Sequence, residues 1–185
     1  MAKTYPDIGT FSPGDILTAA TMNEVGTNLD NQRVPAMCRA RRAAAQSINN
    51  NAQHLINWDT EDYDTDTMFT ASNTLITIKT AGVYLVTATV AFVANFTDAR
   101  GAQIVINPTT SGSGDSTLVT AGTRIAIAFY DRSPSTQSAA SISTAYNFAV
   151  NDTIGVIAYQ NSGGALNTFT TDPPSVSVTW LGQVS

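Results

Sequence analysis

The sequence predicts an all-β protein, a two-sheet antiparallel jelly-roll sandwich that follows a short, partly helical N-terminal segment. Apolar residues alternate with small or polar residues over most of the chain, which is the pattern of half-buried strands. Turn-forming residues separate these runs at the spacing of a β-sandwich, and no helix of useful length is indicated after Pro35. With 185 residues, the chain suits one domain and an appendage. We therefore divide it into an N-terminal segment, residues 1–35, and a head domain, residues 36–185.

The N-terminal segment contains the only helical pattern in the sequence. Thr18 or Thr21 can cap a short helix that runs through about Asn28, and Glu24 follows Thr21 in the spacing of a capping box. A helix of that length is not stable by itself in water. We therefore expect the segment to dock on the head, on sister copies or on a larger assembly. The candidate docking side chains are Phe11, Ile16, Leu17, Met22, Val25 and Leu29.

Candidate strands fill the head domain. The clearest has the sequence GVYLVTATVAFVA and is apolar on both faces; we expect it at the centre of a sheet, covered on one side by another subunit. In the others one face is apolar and the other is small or polar, as in Val176, Val178 and Trp180. The candidate strands span residues 36–44, 53–58, 73–80, 82–94, 100–107, 122–131, 140–149, 153–161 and 174–183.

The composition favours an oligomer. Charged residues make up only 12% of the sequence and apolar residues 43%, so Ser and Thr take the place of charge, which suits surfaces buried between subunits. The net charge of −5 argues against a nucleic-acid binder, which needs a surplus of Lys and Arg. The single cysteine, Cys38, can form no internal disulfide. No signal peptide or membrane-spanning run is indicated, so we expect folding in a cytosol without membrane insertion.

Part of the head resembles a known superfamily. The stretch WDTEDYDTDTMFTASNTLITIKTAGVYLVTATVAF resembles the tumour-necrosis-factor and complement globular-head superfamily at Tyr63-Asp64, Phe69, Ile76, Ile78 and Ala81-Gly82-Val83-Tyr84. The tail SVSVTWLGQVS is similar to the closing strand of that fold. The resemblance covers roughly residues 36–185. It implies a jelly roll that assembles as a homotrimer.

The N-terminal segment carries a second resemblance. The run FSPGDILTAATMNEVGTNLDNQ is similar to the opening of small virion proteins of tailed bacteriophages, with matches at Gly14, Leu17, Thr18, Ala19, Ala20, Met22 and Asn23. The run YQNSGGALN, residues 159–167, is similar to the end of their heads. This likeness implies a structural protein of the tail-fibre, minor-tail or head-decoration type. Residues 1–35 would then bind other virion proteins, and the protein would reside in the virion after assembly in the host cytoplasm.

Large aromatic residues are candidates for the trimer interface, because such side chains often hold subunit contacts together. The alternative is that each aromatic ring fills the core of its own sandwich. If the protein is a receptor-binding tip, we expect a host-surface glycan to bind at loops where Tyr130, Asn161 and Asn167 gather. The candidate interface residues are Tyr84, Phe92, Tyr130, Tyr146 and Tyr159.

An acidic loop is the one candidate metal site. Its carboxylates could bind calcium through oxygen ligands, although the loop lacks the glycine of an EF-hand. The alternative is a solvated turn in which the aspartates accept hydrogen bonds from backbone amides, and no other cofactor is expected. The candidate ligands are Asp59, Glu61, Asp62, Asp64 and Asp66.

We do not expect catalysis. His54 is the only histidine, and no nucleophile motif lies near it. The run TTSGSGDST lacks the lysine of a phosphate-binding loop and is expected to be a flexible exposed tip. A glycan hydrolase that uses two carboxylates is the competing hypothesis, because the distance between two carboxylates is not visible in the sequence.

Overall fold

The computed structural model describes Lys3, Pro6 and residues 9–130 and 137–183. The N-terminal segment forms one helix, α1 (Ala19–Arg33), which extends beyond the predicted end at Asn28. Its N-cap is Thr18, whose side-chain oxygen accepts a hydrogen bond from the Thr21 amide at 3.2 Å. None of the helices within the described residues is long and apolar enough to cross a membrane.

The head consists of strands, as predicted. Three of them, β2, β4 and β11, were not predicted as strands from the sequence. The predicted strand 122–131 ends at Asp131, which lies outside the described residues. The strands are β1 (Met37–Arg41), β2 (Ser47–Ile48), β3 (Ala52–Leu55), β4 (Thr60–Asp64), β5 (Leu75–Thr77), β6 (Gly82–Phe92), β7 (Arg100–Ser111), β8 (Leu118–Tyr130), β9 (Ser138–Phe148), β10 (Thr153–Gln160), β11 (Leu166–Asn167) and β12 (Ser175–Gly182).

The strands form two antiparallel five-stranded sheets, which confirms the predicted jelly-roll sandwich. Sheet I has the strand order β4-β1-β12-β6-β9, and sheet II has the order β3-β8-β7-β10-β5. In sheet II, β3 also pairs with β10. A small third sheet joins β11 to β2. Most neighbours in each sheet are distant in sequence, so the order of the strands places residues from both ends of the head side by side.

The core lies between the two sheets and contains every second residue of the long strands. Strand β6 contributes Tyr84, Val86, Val90 and Phe92, all fully buried. Cys38 of β1 is also buried, and burial, reinforced by the nearby carboxylates of Asp64 and Glu61, raises the pKa of its thiol to about 12. The alternation along β6 means that its other face, with Leu85 at 39% exposure, is open in the single chain. The subunit that the sequence predicted as a cover for that face stays a prediction.

The run Ala81-Gly82-Val83-Tyr84 has a local physical explanation. Gly82 has φ +143°, and a Cβ atom at this position would collide with Trp180 Nε1 and with the Gly182 carbonyl. The Trp180 indole donates a hydrogen bond to the Ala81 carbonyl at 3.2 Å. The Tyr84 hydroxyl donates to the Thr80 carbonyl at 2.6 Å. The glycine therefore lets β12 close against the start of β6.

A second, smaller core lies on the outer face of sheet II. The buried side chains Leu55, Val105 and Ile157 pack there, with Leu75 and Val119 partly covering them. Val119 is the second residue of β8, and the neighbouring Leu118 pairs with His54 of β3. The tip of the β7–β8 hairpin therefore folds back over the outside of its own sheet.

Candidate functional site

The outer face of sheet I, which we call the open face, is made of small and hydroxyl-bearing side chains. On β6, β9 and β12 the residues that alternate with the core positions carry no charge, and most are exposed or half-buried. Thr89 and Ser141 hydroxyls lie 3.2 Å apart across two of these strands. The open face consists of Val83, Leu85, Thr87, Thr89, Ala91, Ala139, Ser141, Ser143, Ala145, Asn147, Ser175, Ser177 and Thr179.

Charge appears only at one side of this face. Arg41 Nη2 lies 2.7 Å from Asp62 Oδ1, and Arg39 Nε lies 3.2 Å from Asp62 Oδ2. These ion pairs lie on β1 and β4, whereas the three neighbouring strands present only neutral atoms. A neutral sheet face of this extent lacks the charge that typically covers a sheet surface exposed to water.

The predicted interface aromatics do not share one surface. Tyr84 and Phe92 are fully buried in the core of their own subunit, which is the alternative that the sequence left open. Tyr130 is half-buried, and burial raises the pKa of its hydroxyl to about 12, opposed by the Ser138 hydroxyl and by Arg100. Tyr146 is 39% exposed on the edge strand β9. Tyr159 lies on sheet II, where its hydroxyl donates to Asn51 Oδ1 at 3.0 Å.

The predicted glycan residues have different local environments. Asn161 Oδ1 accepts a hydrogen bond from the Ala99 amide at 2.8 Å, so this side chain holds a loop together. The hydroxyl oxygen of Tyr130 is buried. Asn167 pairs with Ser47 in the small third sheet. Glycan binding by these three residues stays a prediction.

The acidic residues are engaged by separate protein partners. Asp59 accepts hydrogen bonds from the Ala43 and Ala44 amides at 2.8 and 2.9 Å, and these bonds and Arg42 lower its pKa against the opposing effect of burial. Asp62 pairs with two arginines, as described above. Among the described residues, no group of three or more metal-ligating side chains converges.

The remaining members of the acidic loop differ in environment, and only Asp64 makes the backbone contacts that the turn alternative predicted, because residues 60–64 form strand β4. Asp64 accepts from the amides of Asp66 and Phe69 at 3.0 and 2.8 Å. Asp66 is buried, and burial raises the pKa of its carboxyl. Glu61 is exposed on β4. Calcium binding stays a prediction, and a calcium-dependent rise in melting temperature is its test.

The docking side chains of the N-terminal segment are largely uncovered. No residue of α1 is buried. Five of the six predicted side chains are at least half exposed, with Ile16 at 88%. Val25 is half-buried. Those five are Phe11, Ile16, Leu17, Met22 and Leu29.

A buried polar network, which the sequence did not predict, lies beneath the β7–β8 tip. Arg42 Nη2 lies 2.7 Å from Asp115 Oδ2, and Asn57 Nδ2 donates to Asp115 Oδ1 at 2.9 Å. The carbonyl of Asp115 accepts from Gln46 Nε2 at 3.2 Å and from His54 Nδ1 at 3.3 Å. The run TTSGSGDST, predicted as a flexible tip, is therefore held down at Asp115.

His54 has a structural environment. Because a carbonyl only accepts, Nδ1 carries the hydrogen, and Nε2 accepts from the Asn49 amide at 3.3 Å. Burial lowers the pKa of His54, although the Asp115 carbonyl opposes that effect. The neutral imidazole therefore connects two loops, and no serine or cysteine nucleophile is paired with it among the described residues.

Three clefts among the described residues each lack a pair of carboxylates. One cleft, of about 460 Å³, lies between the start of β6 and the end of β9, and Asp152 is its single acidic lining residue. Asp152 accepts from the Ala149 amide and from Asn107 Nδ2, both at 2.8 Å. The glycan-hydrolase hypothesis requires two facing carboxyls, and this cleft provides one that is already engaged.

Solved structures with a similar fold include a tumour-necrosis factor, Eiger, from S. frugiperda (TM-score 0.56, 10% identity, covering 81% of this chain and 93% of that one). Murine APRIL aligns with a TM-score of 0.55 and 10% identity over 78% of this chain and 98% of its own. The globular domain of a zebrafish complement 1qA protein aligns at 0.52 with 9% identity, over 80% and 99% of the two chains.

The head is a jelly roll of the tumour-necrosis-factor type. This confirms the fold that the sequence resemblance implied for residues 36–185. At these identities the likeness describes the fold and leaves the role of the protein to other arguments. No protein-family model matches the chain, and no curated protein matches it. The phage resemblance of the N-terminal segment stays a prediction.

Proposed function

We propose that this protein is a homotrimeric structural protein of a tailed-bacteriophage virion, which docks through residues 1–35 and displays the jelly-roll head. The observation that carries the proposal is α1, a 15-residue helix without a single buried residue. A helix of this length gains most of its stability from packing. Its exposed apolar side chains therefore favour a docking partner, and the resemblance of this segment to phage proteins suggests that the partner belongs to the virion.

The open face supports self-association. Its thirteen residues are neutral, and small side chains allow two sheets to approach closely. Size-exclusion chromatography with light scattering tests the oligomer, with an expected mass of three chains. Thr87→Arg places a charge in the open face and is expected to give monomers, whereas Thr123→Arg, on an exposed position of sheet II, is expected to leave the trimer intact. A stable wild-type monomer would contradict the proposal.

Docking is tested separately from trimerisation. The double variant Met22→Glu, Leu29→Glu adds charge to two exposed apolar positions of α1 and is expected to keep the trimer but lose incorporation into particles. Thr27→Glu adds a charge on an exposed position at the opposite side of the same helix and is the matched control. Equal incorporation of the double variant and the control would argue against docking through α1.

The position on the particle has two candidates. As a tail fibre or receptor-binding tip, the head would bind the host surface, with a glycan as the expected ligand. As a capsid decoration or head-fibre protein, it would cover the shell instead. Immunogold labelling of intact particles distinguishes the tail from the capsid. A glycan hydrolase is disfavoured by the single engaged carboxylate in the cleft between the start of β6 and the end of β9.

A further inference from the structure

A polar groove of about 260 Å³ lies on the outer face of sheet II, under the folded-back tip of the β7–β8 hairpin. Its floor contains Gln103, Val105 and Ile157, its walls are formed by residues 119–122, and Gln53 and Arg124 border it. None of the lining residues carries a carboxylate. Ligand pockets for drug-sized molecules have roughly 300–1,000 Å³, so this groove suits a single small ring.

Gln103 presents an amide donor inside this groove. The residue is only 3% exposed, and Arg124 Nη1 donates to its Oε1 atom at 3.1 Å. Because a guanidinium can only donate, the amide oxygen must face Arg124 and the NH₂ group must point elsewhere. That NH₂ group donates to no acceptor among the described residues. This NH₂ group is accessible at the groove surface, so a ligand oxygen can accept a hydrogen bond from it.

Arg124 adds a positive charge that has no counter-ion among the described residues. Each of the exposed or half-exposed arginines Arg33, Arg39 and Arg41 has a carboxylate within 4 Å, and so has the buried Arg42. Arg124 has no such partner among the described residues. In a chain with a net charge of −5, a guanidinium that stays free of carboxylates is available to an anion.

An aromatic pair, Phe129 and Tyr159, lies next to the groove along the strand ladder. Phe129 is 54% exposed, and its ring packs edge-to-face on Tyr159 with 5.9 Å between the ring centroids. Gly101, which faces both residues across the ladder, makes room for the ring, because a Cβ atom there would collide with it. Ile127 and Gln103 form the next pair along the same ladder. A rigid aromatic face therefore lies beside the polar groove, where the apolar side of a neighbouring ring can pack.

We propose that this groove binds an anionic saccharide, with the acidic group on Arg124, a ring hydroxyl on the Gln103 amide and a second sugar ring against Phe129. This proposal rests on the proposed function in one respect only, because the host-surface role identifies where the saccharide comes from. A sugar ring combines hydroxyls with an apolar face, which matches the amides and the aromatic pair. The Arg124 guanidinium, which has no carboxylate partner among the described residues, selects an anion, either a carboxylate or a phosphate.

Saturation-transfer NMR with the full-length protein tests the proposal. The probes are methyl glucuronide, methyl glucoside 6-phosphate and neutral methyl glucoside. We expect at least one anionic probe to bind with a Kd near 1 mM and about tenfold more tightly than the neutral one, since a charge-assisted hydrogen bond contributes that factor. The tighter of the two anionic probes identifies the acidic group.

Variants locate the binding site. Arg124→Gln is expected to weaken the binding of the anionic probes about tenfold and to leave the binding of methyl glucoside unchanged. Arg33→Gln removes the same charge from an exposed position on α1 and is expected to change nothing. Phe129→Ala is expected to weaken the binding of a glucuronate-containing disaccharide and to leave the binding of methyl glucuronide unchanged.

Three results would overturn the proposal: no saturable binding by any probe, equal binding of neutral and anionic probes, or equal loss in the two arginine variants. Both arginines are exposed, so their variants are expected to fold, and circular dichroism checks this. Failure here is distinguishable from failure of the proposed function, because trimer mass and particle labelling do not depend on the groove.

Discussion

Replacing Arg42 with Met tests whether the polar network fixes the β7–β8 tip. The Arg42 side chain is 9% exposed, and its guanidinium donates to Asp115 Oδ2 at 2.7 Å and to the Asn57 carbonyl at 3.1 Å. It also lies 3.5 Å from Asp59 Oδ2. Met fills a similar volume without donors, so the substitution removes the hydrogen bonds while it keeps most of the packing.

The structure sets the size of the effect. Removing one partner of a fully buried ion pair costs about 3–5 kcal/mol of unfolding free energy, because the other charge stays buried and unpaired. Here the Asp115 side chain is 44% exposed, so water can solvate it in the variant and the cost is smaller, about 2–3 kcal/mol. For a chain of this length, that loss lowers the melting temperature by about 4–12 °C.

Two measurements check this prediction. Thermal unfolding is compared at one protein concentration, because an oligomer's stability depends on concentration. Arg33→Met is the matched control: its ion pair with Asp30 has side chains 81% and 78% exposed, and we expect no measurable change in melting temperature. Hydrogen exchange is expected to accelerate at residues 112–117 in the Arg42 variant alone. Equal melting temperatures for both variants, or unchanged exchange at the tip, would refute the reasoning.

Other consequences concern single buried positions. Burial lowers the pKa of His54, so below about pH 6.5 the unfolded chain binds a proton at this residue before the folded chain does. The unfolding free energy is therefore expected to fall by up to about 1.4 kcal/mol per pH unit as the pH decreases below that value. In urea titrations, His54→Gln is expected to lose this pH dependence. Cys38, whose burial raises its pKa to about 12, is expected to resist iodoacetamide at pH 8 unless denaturant is present, as mass spectrometry would detect. Gly82→Ala is expected to cost about 2–4 kcal/mol in thermal melts through strain and collision, whereas Gly164→Ala, with open space around it, changes stability little; similar melts for both would contradict the packing argument.

The sheets were predictable because strand alternation is a local pattern. Strand β6 was recognised from its own residues. Strand β4 was missed because its acidic residues are typical of a turn. Its extended conformation depends on pairing with β1, where Asp62 meets the two arginines.

The polar sites were not predictable because their residues are distant in sequence and meet only in the folded chain. Arg42 and Asp115 are 73 residues apart in sequence, and nothing near either residue indicates the other. Gln103 and Arg124 meet only because β7 and β8 pair with a register shift between Ile104 and Val105. The predicted aromatic interface failed for a different reason at Tyr84 and Phe92. A large apolar ring suits a core as well as an interface, so the residue type alone does not distinguish the two. Burial of Tyr84 and Phe92 distinguishes the two roles, and burial depends on the whole fold.

The open face and the groove lie on opposite sheets, and this arrangement links the two proposals. In a trimer assembled through sheet I, each copy of sheet II faces away from the threefold axis, so three grooves stay accessible at once. A single small groove with a few hydrogen bonds supports only millimolar affinity. Three such grooves on one rigid body raise the apparent affinity for a repetitive polysaccharide by orders of magnitude without any new contact, provided that the sugar units can reach them together. Under the two proposals, the neutral open face would assemble the trimer and the three weak, charged grooves would together bind the polysaccharide.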